Sequence, residues 1–99
     1  MKTVLIYRPN SEHERRALDY ARDFTAQTGK KLQSMDPDSP EGADFCRLYE
    51  VMQYPAIVVI DDQGHMQNMW TAEQLPPFSE LSYYVTEDGL TRRTGAGSI

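Results

Sequence analysis

The first 29 residues consist of a short apolar run, a polar loop and a long amphipathic segment. Residues 3–7 are apolar and rich in β-branched side chains, which predicts a strand that is covered on both faces. Gly29 follows the amphipathic segment, and glycine suits the left-handed position at which helices commonly end. Between them, residues 12–28 have helical spacing, with one charged face and one predicted buried face made of Glu14, Ala17, Leu18, Ala21, Phe24, Thr25 and Thr28.

A weaker strand and a second helix come next. Residues 30–35 predict the strand, and the turn-forming cluster at 36–40 also offers a helix start. In this second helix the apolar residues recur at helical intervals, and the predicted buried stripe consists of Phe45, Leu48, Tyr49 and Met52. This part of the chain therefore repeats the strand-then-helix order of the first.

The last third of the chain predicts a hairpin and a short helix. Residues 54–60 form an apolar strand with a proline at its mouth. Residues 61–64 have the composition of a hairpin turn, and residues 65–70 predict the returning strand. The final helix follows a pair of prolines, and its predicted buried face consists of Phe78, Leu81, Ser82 and Val85.

The resulting order, β-α-β-α-β-β-α, predicts an α/β domain with a four-stranded mixed sheet flanked by helices. A chain of 99 residues has room for one such domain, which we assign to residues 1–85. Residues 86–99 lack apolar periodicity and contain three glycines, so we expect them to form a mobile C-terminal tail.

Charge and cysteine content narrow the classes of function. The formal net charge is −5 and the pI is about 4.8, which argues against binding to nucleic acid or to an anionic membrane surface. No apolar run approaches the roughly 20 residues that span a bilayer, and the first residues enter a strand without a signal-peptide pattern. One cysteine cannot form an intramolecular disulfide, which fits a reducing compartment. We therefore expect a cytoplasmic protein without membrane or nucleic-acid partners.

Two segments give this order a family resemblance. The strand, loop and helix of "VLIYRPNSEHERRALDYARDF" and the proline, strand and turn of "QYPAIVVIDDQG" resemble a minimal thioredoxin fold of glutaredoxin size. The resemblance covers residues 1–85 and implies that Ser11 and Glu14 stand where that family has its two cysteines. In that family a cis-proline faces the active loop, and the residue before it hydrogen-bonds a bound thiol or peptide. The resemblance implies these roles for Pro55 and Tyr54.

The missing cysteines exclude the redox chemistry of that family. Disulfide exchange needs a thiolate that attacks a sulfur, and a serine at position 11 supplies no comparable nucleophile near neutral pH. Chemistry that uses only the first cysteine of the pair is excluded as well, because Ser11 stands at that position. We therefore predict no catalytic residue and no cofactor.

The segment Ser11-Glu12-His13-Glu14 has two explanations, which the sequence leaves open. Ser-x-x-Glu is the pattern of a capping box, in which the serine accepts from a helix amide and the glutamate reaches back to the first residue. The other explanation is a polar ligand or partner site on the former active face. Its candidate residues are Tyr7, Arg8, Ser11, His13, Glu14, Tyr54 and Pro55.

Two functions follow from such a site. The first is a redox-inactive module that binds a protein or peptide. The alternative is a protein that binds glutathione or another small thiol, in which the hydroxyls of Ser11 and Tyr7 steady the thiolate while Arg8 and Tyr54 position the ligand. Circadian-clock KaiB-type proteins, whose general plan this order resembles, also lack the cysteine pair and act by binding a partner.

No metal site is predicted. His13-Glu14 begins a zinc-helix motif, but Ala17 stands where the second histidine is needed. Asp36-x-Asp38 begins a calcium loop, but Glu41 replaces the required glycine.

Two further features concern sulfur and aromatic side chains. We expect Cys46, on the flank of its helix stripe, to be an inert and partly buried thiol. The last third also contains several large side chains, of which half are expected in the core and the rest exposed. Exposed methionine, tryptophan and tyrosine are typical of contact surfaces, although singly exposed aromatic residues are also ordinary. The residues are Met66, Met69, Trp70, Phe78, Tyr83 and Tyr84.

Overall fold

The structure, a computed structural model, describes residues 1–72 and 74–85. These residues form β1 (Lys2–Ile6), α1 (Glu14–Thr28), β2 (Gln33–Met35), α2 (Pro40–Leu48), β3 (Ala56–Ile60), β4 (Met66–Thr71) and α3 (Phe78–Tyr84). The predicted order β-α-β-α-β-β-α is confirmed, as is the mixed four-stranded sheet. The tail expected at residues 86–99 lies outside the described residues.

The strands lie in the order β2-β1-β3-β4. β1 runs parallel to β2 and antiparallel to β3, and β3 runs antiparallel to β4. The two central strands are therefore the two continuous apolar runs of the sequence, and all of β3 is buried. Strands covered on both faces need such runs, because successive side chains point to opposite sides of the sheet.

Helices cover both faces of the sheet and enclose two apolar clusters. Val4, Ile6 and Val58 pack beneath α2 together with Cys46. The alternate residues Leu5 and Ile57 face α1 and α3, where the cluster also contains Ala17, Phe24, Leu81 and Val85. Burial of one large apolar side chain such as Phe24 contributes about 1.5–3 kcal/mol, so these two clusters hold the sheet and helices in one unit.

The predicted stripe of α2 is wrong for two of its four residues. Leu48 is 71% exposed and Met52 is 82% exposed, whereas Cys46 lies in the core. The helix ends at Leu48, and Glu50 with φ 57° turns the chain, so Met52 is no longer in helical phase. The buried Gly42 lies flush against the Asp36 carbonyl and sets which side of α2 faces the sheet.

Helix α1 ends where the sequence predicts but begins two residues later than predicted. Gly29 ends the helix with φ 75°, and its N–H donates to the Thr25 carbonyl, which confirms the predicted stop. The helix begins at Glu14 rather than at residue 12, and Leu18 is exposed rather than buried. Ala17 and Phe24 centre the buried stripe, so the step of about 100° per residue carries Leu18 away from the sheet.

Candidate binding site

The loop between β1 and α1 folds back on Arg8. The Arg8 N–H donates to His13 Nε2 at 3.0 Å, and the Ser11 hydroxyl donates to the Arg8 carbonyl at 2.6 Å. Asn10 has φ 64°, and its N–H donates to Glu14 Oε1 at 3.1 Å. The N–H and the carbonyl of Arg8 are thus both hydrogen-bonded to side chains of the same loop, which fixes the position of the Arg8 backbone.

The capping box predicted for Ser11 and Glu14 is wrong in its details. The N-cap of α1 is His13, and no side chain caps that end. Glu14 does reach back, but to the N–H of Asn10, and Ser11 uses its hydroxyl as a donor to Arg8. Ser11 and Glu14, three residues apart, therefore stabilise the loop before the helix and do not cap the helix itself. Glu14 can do so because Asn10, in a left-handed conformation, turns its N–H toward it.

Tyr54 brings the segment before β3 against this loop. The Arg8 guanidinium carbon lies 4.7 Å from the centroid of the Tyr54 ring. The His13 ring lies 6.3 Å from the same centroid, with 24° between the two planes. A cation over an aromatic face is attracted by the ring quadrupole, by about 0.5–1 kcal/mol at an exposed site. Of the predicted site residues, Arg8, His13 and Tyr54 are therefore brought together.

Asp38 forms an ion pair with the Arg8 guanidinium. It is not among the site residues predicted from the sequence. Arg8 Nε lies 3.3 Å from Asp38 Oδ1 and 3.1 Å from Oδ2. Both side chains are exposed, so the pair contributes about 1 kcal/mol or less to stability; its effect is to orient the guanidinium. A signal was present, because Arg8 and Asp38 follow neighbouring parallel strands whose carboxyl ends meet at one edge.

Cys46 lies behind Tyr54 in the core. The thiol is buried, and burial raises its pKa, while a hydrogen bond to the Tyr54 hydroxyl acts in the opposite direction. Burial likewise raises the pKa of Tyr54, and the neighbouring Cys46 adds to that rise. A buried thiol with a raised pKa has little thiolate and little access for reagents, which are the properties of an unreactive cysteine.

Two predicted site residues have other places in the fold. Tyr7 packs on the opposite face of the sheet, against the cluster beneath α1 and α3. It also lines a cavity of about 220 Å³ at the carboxyl ends of β1 and β2, together with Pro9, Ser34, Met35 and Asp36. The Tyr54–Pro55 peptide bond is cis, and the Pro55 side chain is fully buried. The Pro55 side chain therefore has no surface that a ligand could contact, and its part in the candidate site is to fix the backbone next to Tyr54.

The described part of the chain contains neither a cluster of metal ligands nor a membrane-spanning helix. Residues 1–72 and 74–85 bring together no group of three or more histidine, cysteine, aspartate or glutamate side chains that could hold a metal ion. In the same residues, no helix is both long enough and apolar enough to cross a bilayer.

A solved structure shares this architecture. Thioredoxin 1 from the thermophilic eubacterium Thermosipho africanus matches with a TM-score of 0.57 over 85% of this chain and 89% of that chain. This chain has a thioredoxin-like fold. The two sequences are 12% identical, which is a likeness of fold alone. No protein-family model and no curated protein sequence matches the chain.

The thioredoxin-like fold is present here without the Cys-x-x-Cys motif. The only cysteine is Cys46, which belongs to α2 and not to the loop before α1. The loop instead carries the hydrogen bonds that hold Arg8.

Proposed function

We propose that this thioredoxin-like domain is redox-inactive and binds an extended segment of a protein or peptide at the face formed by Arg8, His13 and Tyr54. The observation that carries the proposal is the Tyr54 ring, which is half-buried and stacked with both Arg8 and His13. Tyrosine and arginine are the residues most often found at the centre of binding interfaces, since they offer large rigid contact area with polar ends.

The backbone of Tyr54 supports an extended ligand. Among the residues that the structure describes, neither its N–H nor its carbonyl takes part in a hydrogen bond, while its hydroxyl donates to the Val51 carbonyl. In the family that this chain resembles, the residue at this position hydrogen-bonds a bound thiol or peptide. An extended peptide satisfies two such groups at once, as in the addition of a strand to a sheet.

The loop geometry favours a peptide over glutathione or another small thiol. The hydroxyl proton of Ser11 is committed to the Arg8 carbonyl, and Tyr7 lies on the opposite face of the sheet. Arg8 is engaged by Asp38, so a ligand carboxylate must compete for it. The small-thiol alternative therefore lacks the two hydroxyl donors, of Ser11 and Tyr7, that it requires on this face.

Redox inactivity and a cytoplasmic location belong to the same proposal. Ser11 and Glu14 supply no thiolate, and the one thiol is buried within the core. A protein with a single protected cysteine has no need of an oxidising compartment.

The test is selection of binding peptides from a random displayed library on the full chain. Peptides that bind the wild type are expected to lose at least about tenfold in affinity with Tyr54→Ala and with Arg8→Gln, since each removes a central contact. Tyr83→Ala, which alters an exposed tyrosine in α3, is the matched control and retains binding. Thermal melting of each variant separates lost contact from lost folding.

Three results would contradict the proposal. The first is a set of selected peptides whose affinity is unchanged by both substitutions. The second is a titration with reduced glutathione that moves the amide resonances of Ser11, His13 and Tyr54, which supports the alternative. The third is a rate of mixed-disulfide reduction that depends on Cys46, which would exclude redox inactivity.

A further inference from the structure

Two side chains of α1 connect this helix to the segment that follows β4. The Arg16 guanidinium donates to the Ala72 carbonyl at 2.6 Å, and the Tyr20 hydroxyl donates to the Pro76 carbonyl at 2.5 Å. Side chains four residues apart on a helix lie on the same face, so both reach across the same gap. Tyr20 is half-buried and Arg16 is exposed, so the Arg16 end of this connection faces solvent.

This exposed end lies next to the proposed peptide-binding face. The Ala72 N–H donates to the Pro55 carbonyl at 2.7 Å, and the Ala72 carbonyl accepts from Arg16. On the helix side, His13 stacks with the Tyr54 ring and stands three residues before Arg16, a spacing that makes two side chains neighbours. Arg16 is therefore joined to the Tyr54–Pro55 segment by two separate routes.

The charge of Arg16 is not balanced within the described part of the chain. There, Arg8, Arg22 and Arg47 each form an ion pair with an aspartate, whereas no carboxylate lies at ion-pair distance from Arg16. The hydrogen bond that Arg16 makes there is to a neutral carbonyl. Since a guanidinium has several N–H donors, the others are available to a ligand.

We infer that Arg16 binds a carboxylate of the bound segment, so that the ligand of this face is an acidic peptide. The carboxylate belongs to an aspartate, to a glutamate or to the C-terminus of the peptide. This inference rests on the proposed function and adds the chemistry that the site selects. A guanidinium matches a carboxylate with two parallel hydrogen bonds, and such charge-assisted bonds are roughly twice as strong as neutral ones.

The path of an extended peptide brings it to Arg16. A peptide that pairs with the free backbone groups of Tyr54 passes beside Pro55, and Ala72 is hydrogen-bonded to that residue. Arg8 is less suited to a ligand carboxylate, because its Nε already faces Asp38. The Ala72 carbonyl holds the Arg16 guanidinium in place, so the arginine loses little side-chain freedom when the peptide binds.

The net charge of −5 makes the selection positional. It repels any acidic peptide at long range, although salt screens exposed charges beyond about 8 Å at physiological ionic strength. A carboxylate that does not meet Arg16 gains nothing to offset this repulsion. We therefore expect one acidic group at a fixed position of the peptide rather than a preference for acidic peptides in general.

The test uses the tightest peptide from the displayed library and copies of it in which each carboxylate is neutralised in turn. Aspartate is replaced by asparagine, glutamate by glutamine and the C-terminus by an amide, which also separates a side chain from the terminus. Neutralising one group is expected to lower the affinity for the wild type by about tenfold. With Arg16→Gln the same change is expected to cost less than about twofold, since glutamine still donates to Ala72 but has no charge.

Arg15→Gln is the matched control. It removes the same charge from the next position of α1, where the side chain is exposed, and is expected to behave as the wild type does. Thermal melting shows whether each variant folds. If Arg16→Gln does not, Arg16→Lys replaces it, because lysine keeps the charge without the two parallel hydrogen bonds; the preference for the acidic peptide is then expected to fall by about threefold or more.

The possible failures are distinguishable. Peptides that require Tyr54 and Arg8 but bind equally well in acidic and neutralised forms overturn this inference and leave the proposed function intact. An equal loss with Arg15→Gln also overturns it, since overall charge and not Arg16 would then be responsible. A library that yields no peptide dependent on Tyr54 and Arg8 overturns both.

Discussion

Tyr54 contacts groups from two other parts of the chain. Arg8 and His13 approach its ring from the loop after β1, and Cys46 of α2 lies close to its hydroxyl. A ring fixed in this way loses little freedom when a ligand binds, which is the physical advantage of a preorganised site. The face formed by Arg8, His13 and Tyr54 is therefore an aromatic surface without a thiol pair.

The thiol of Cys46 gives the first prediction at the residue scale. Because burial raises its pKa and blocks access, alkylation by iodoacetamide is expected to be about tenfold or more slower in the folded chain than in urea. Tyr54→Ala opens the site above the thiol and is expected to speed the reaction. Equal rates in folded and unfolded chains would show an accessible thiol.

Tyr20 gives a prediction for alkaline pH. Burial, and secondarily the charge of Glu80, raises the pKa of Tyr20 from 10.0 to about 12, and its hydroxyl donates to the Pro76 carbonyl at 2.5 Å. A pKa that is higher in the folded state stabilises the fold fully below pH 10, and this contribution is lost as the pH rises toward about 12. Melting temperatures of the wild type should therefore fall more steeply over this interval than those of Tyr20→Phe. Parallel curves would contradict the shift.

At the scale of secondary-structure elements, two glycines define how the helices are placed. Gly29 ends α1 in a left-handed conformation in open space, since nothing lies within 4 Å of an added Cβ. Gly42 is part of α2, and a Cβ there would lie 1.8 Å from the Asp36 carbonyl. The first glycine is needed for its backbone angle and the second for its missing side chain.

Alanine substitutions separate these two roles. Gly29→Ala is expected to lower the free energy of unfolding by about 1 kcal/mol, the cost of a left-handed alanine. Gly42→Ala is expected to lower it by about 3 kcal/mol, because α2 must move off the loop. It should also disturb the Arg8–Asp38 pair, which NMR shifts of Arg8 Nε detect. Urea unfolding measures both values, and equal losses would contradict this assignment.

At the scale of the whole molecule, the described residues form a sheet whose two faces carry separate clusters. The cluster beneath α2 and the cluster beneath α1 and α3 draw on residues from Val4 to Val85. Residues 86–99 lack apolar periodicity in the sequence, so a chain that ends after Thr86 is expected to melt within about 4 °C of the full chain, which corresponds to about 0.5 kcal/mol. Circular dichroism melting tests this, and a larger fall would mean that residues 87–99 contribute to stability.

The order of elements and their main boundaries follow from local patterns. The apolar runs of β1 and β3 identify buried strands, Gly29 marks the end of α1, and the turn before β4 is visible in its composition. These features depend on residues close together in the chain, so their physical causes can be read from short windows.

Only part of the candidate site could be predicted from such short windows of sequence. Resemblance to a known fold located Arg8, His13 and Tyr54, and the structure brings these together. Tyr7 and Ile6 lie on opposite faces of the sheet, as strand alternation requires, so Tyr7 lies away from the site predicted for it. The contact between Arg8 and Asp38 joins residues thirty positions apart, and the parallel pairing of β1 with β2 brings them together.

The sequence by itself thus determined the strands, the helices and the absence of a thiol pair, since these are properties of local order and residue identity. Tertiary structure alone decided which side of α2 is buried, that Ser11 donates to Arg8 instead of capping α1, and that Asp38 orients the guanidinium. Each of these depends on contacts between distant segments, whose geometry arises only when both clusters pack against the sheet.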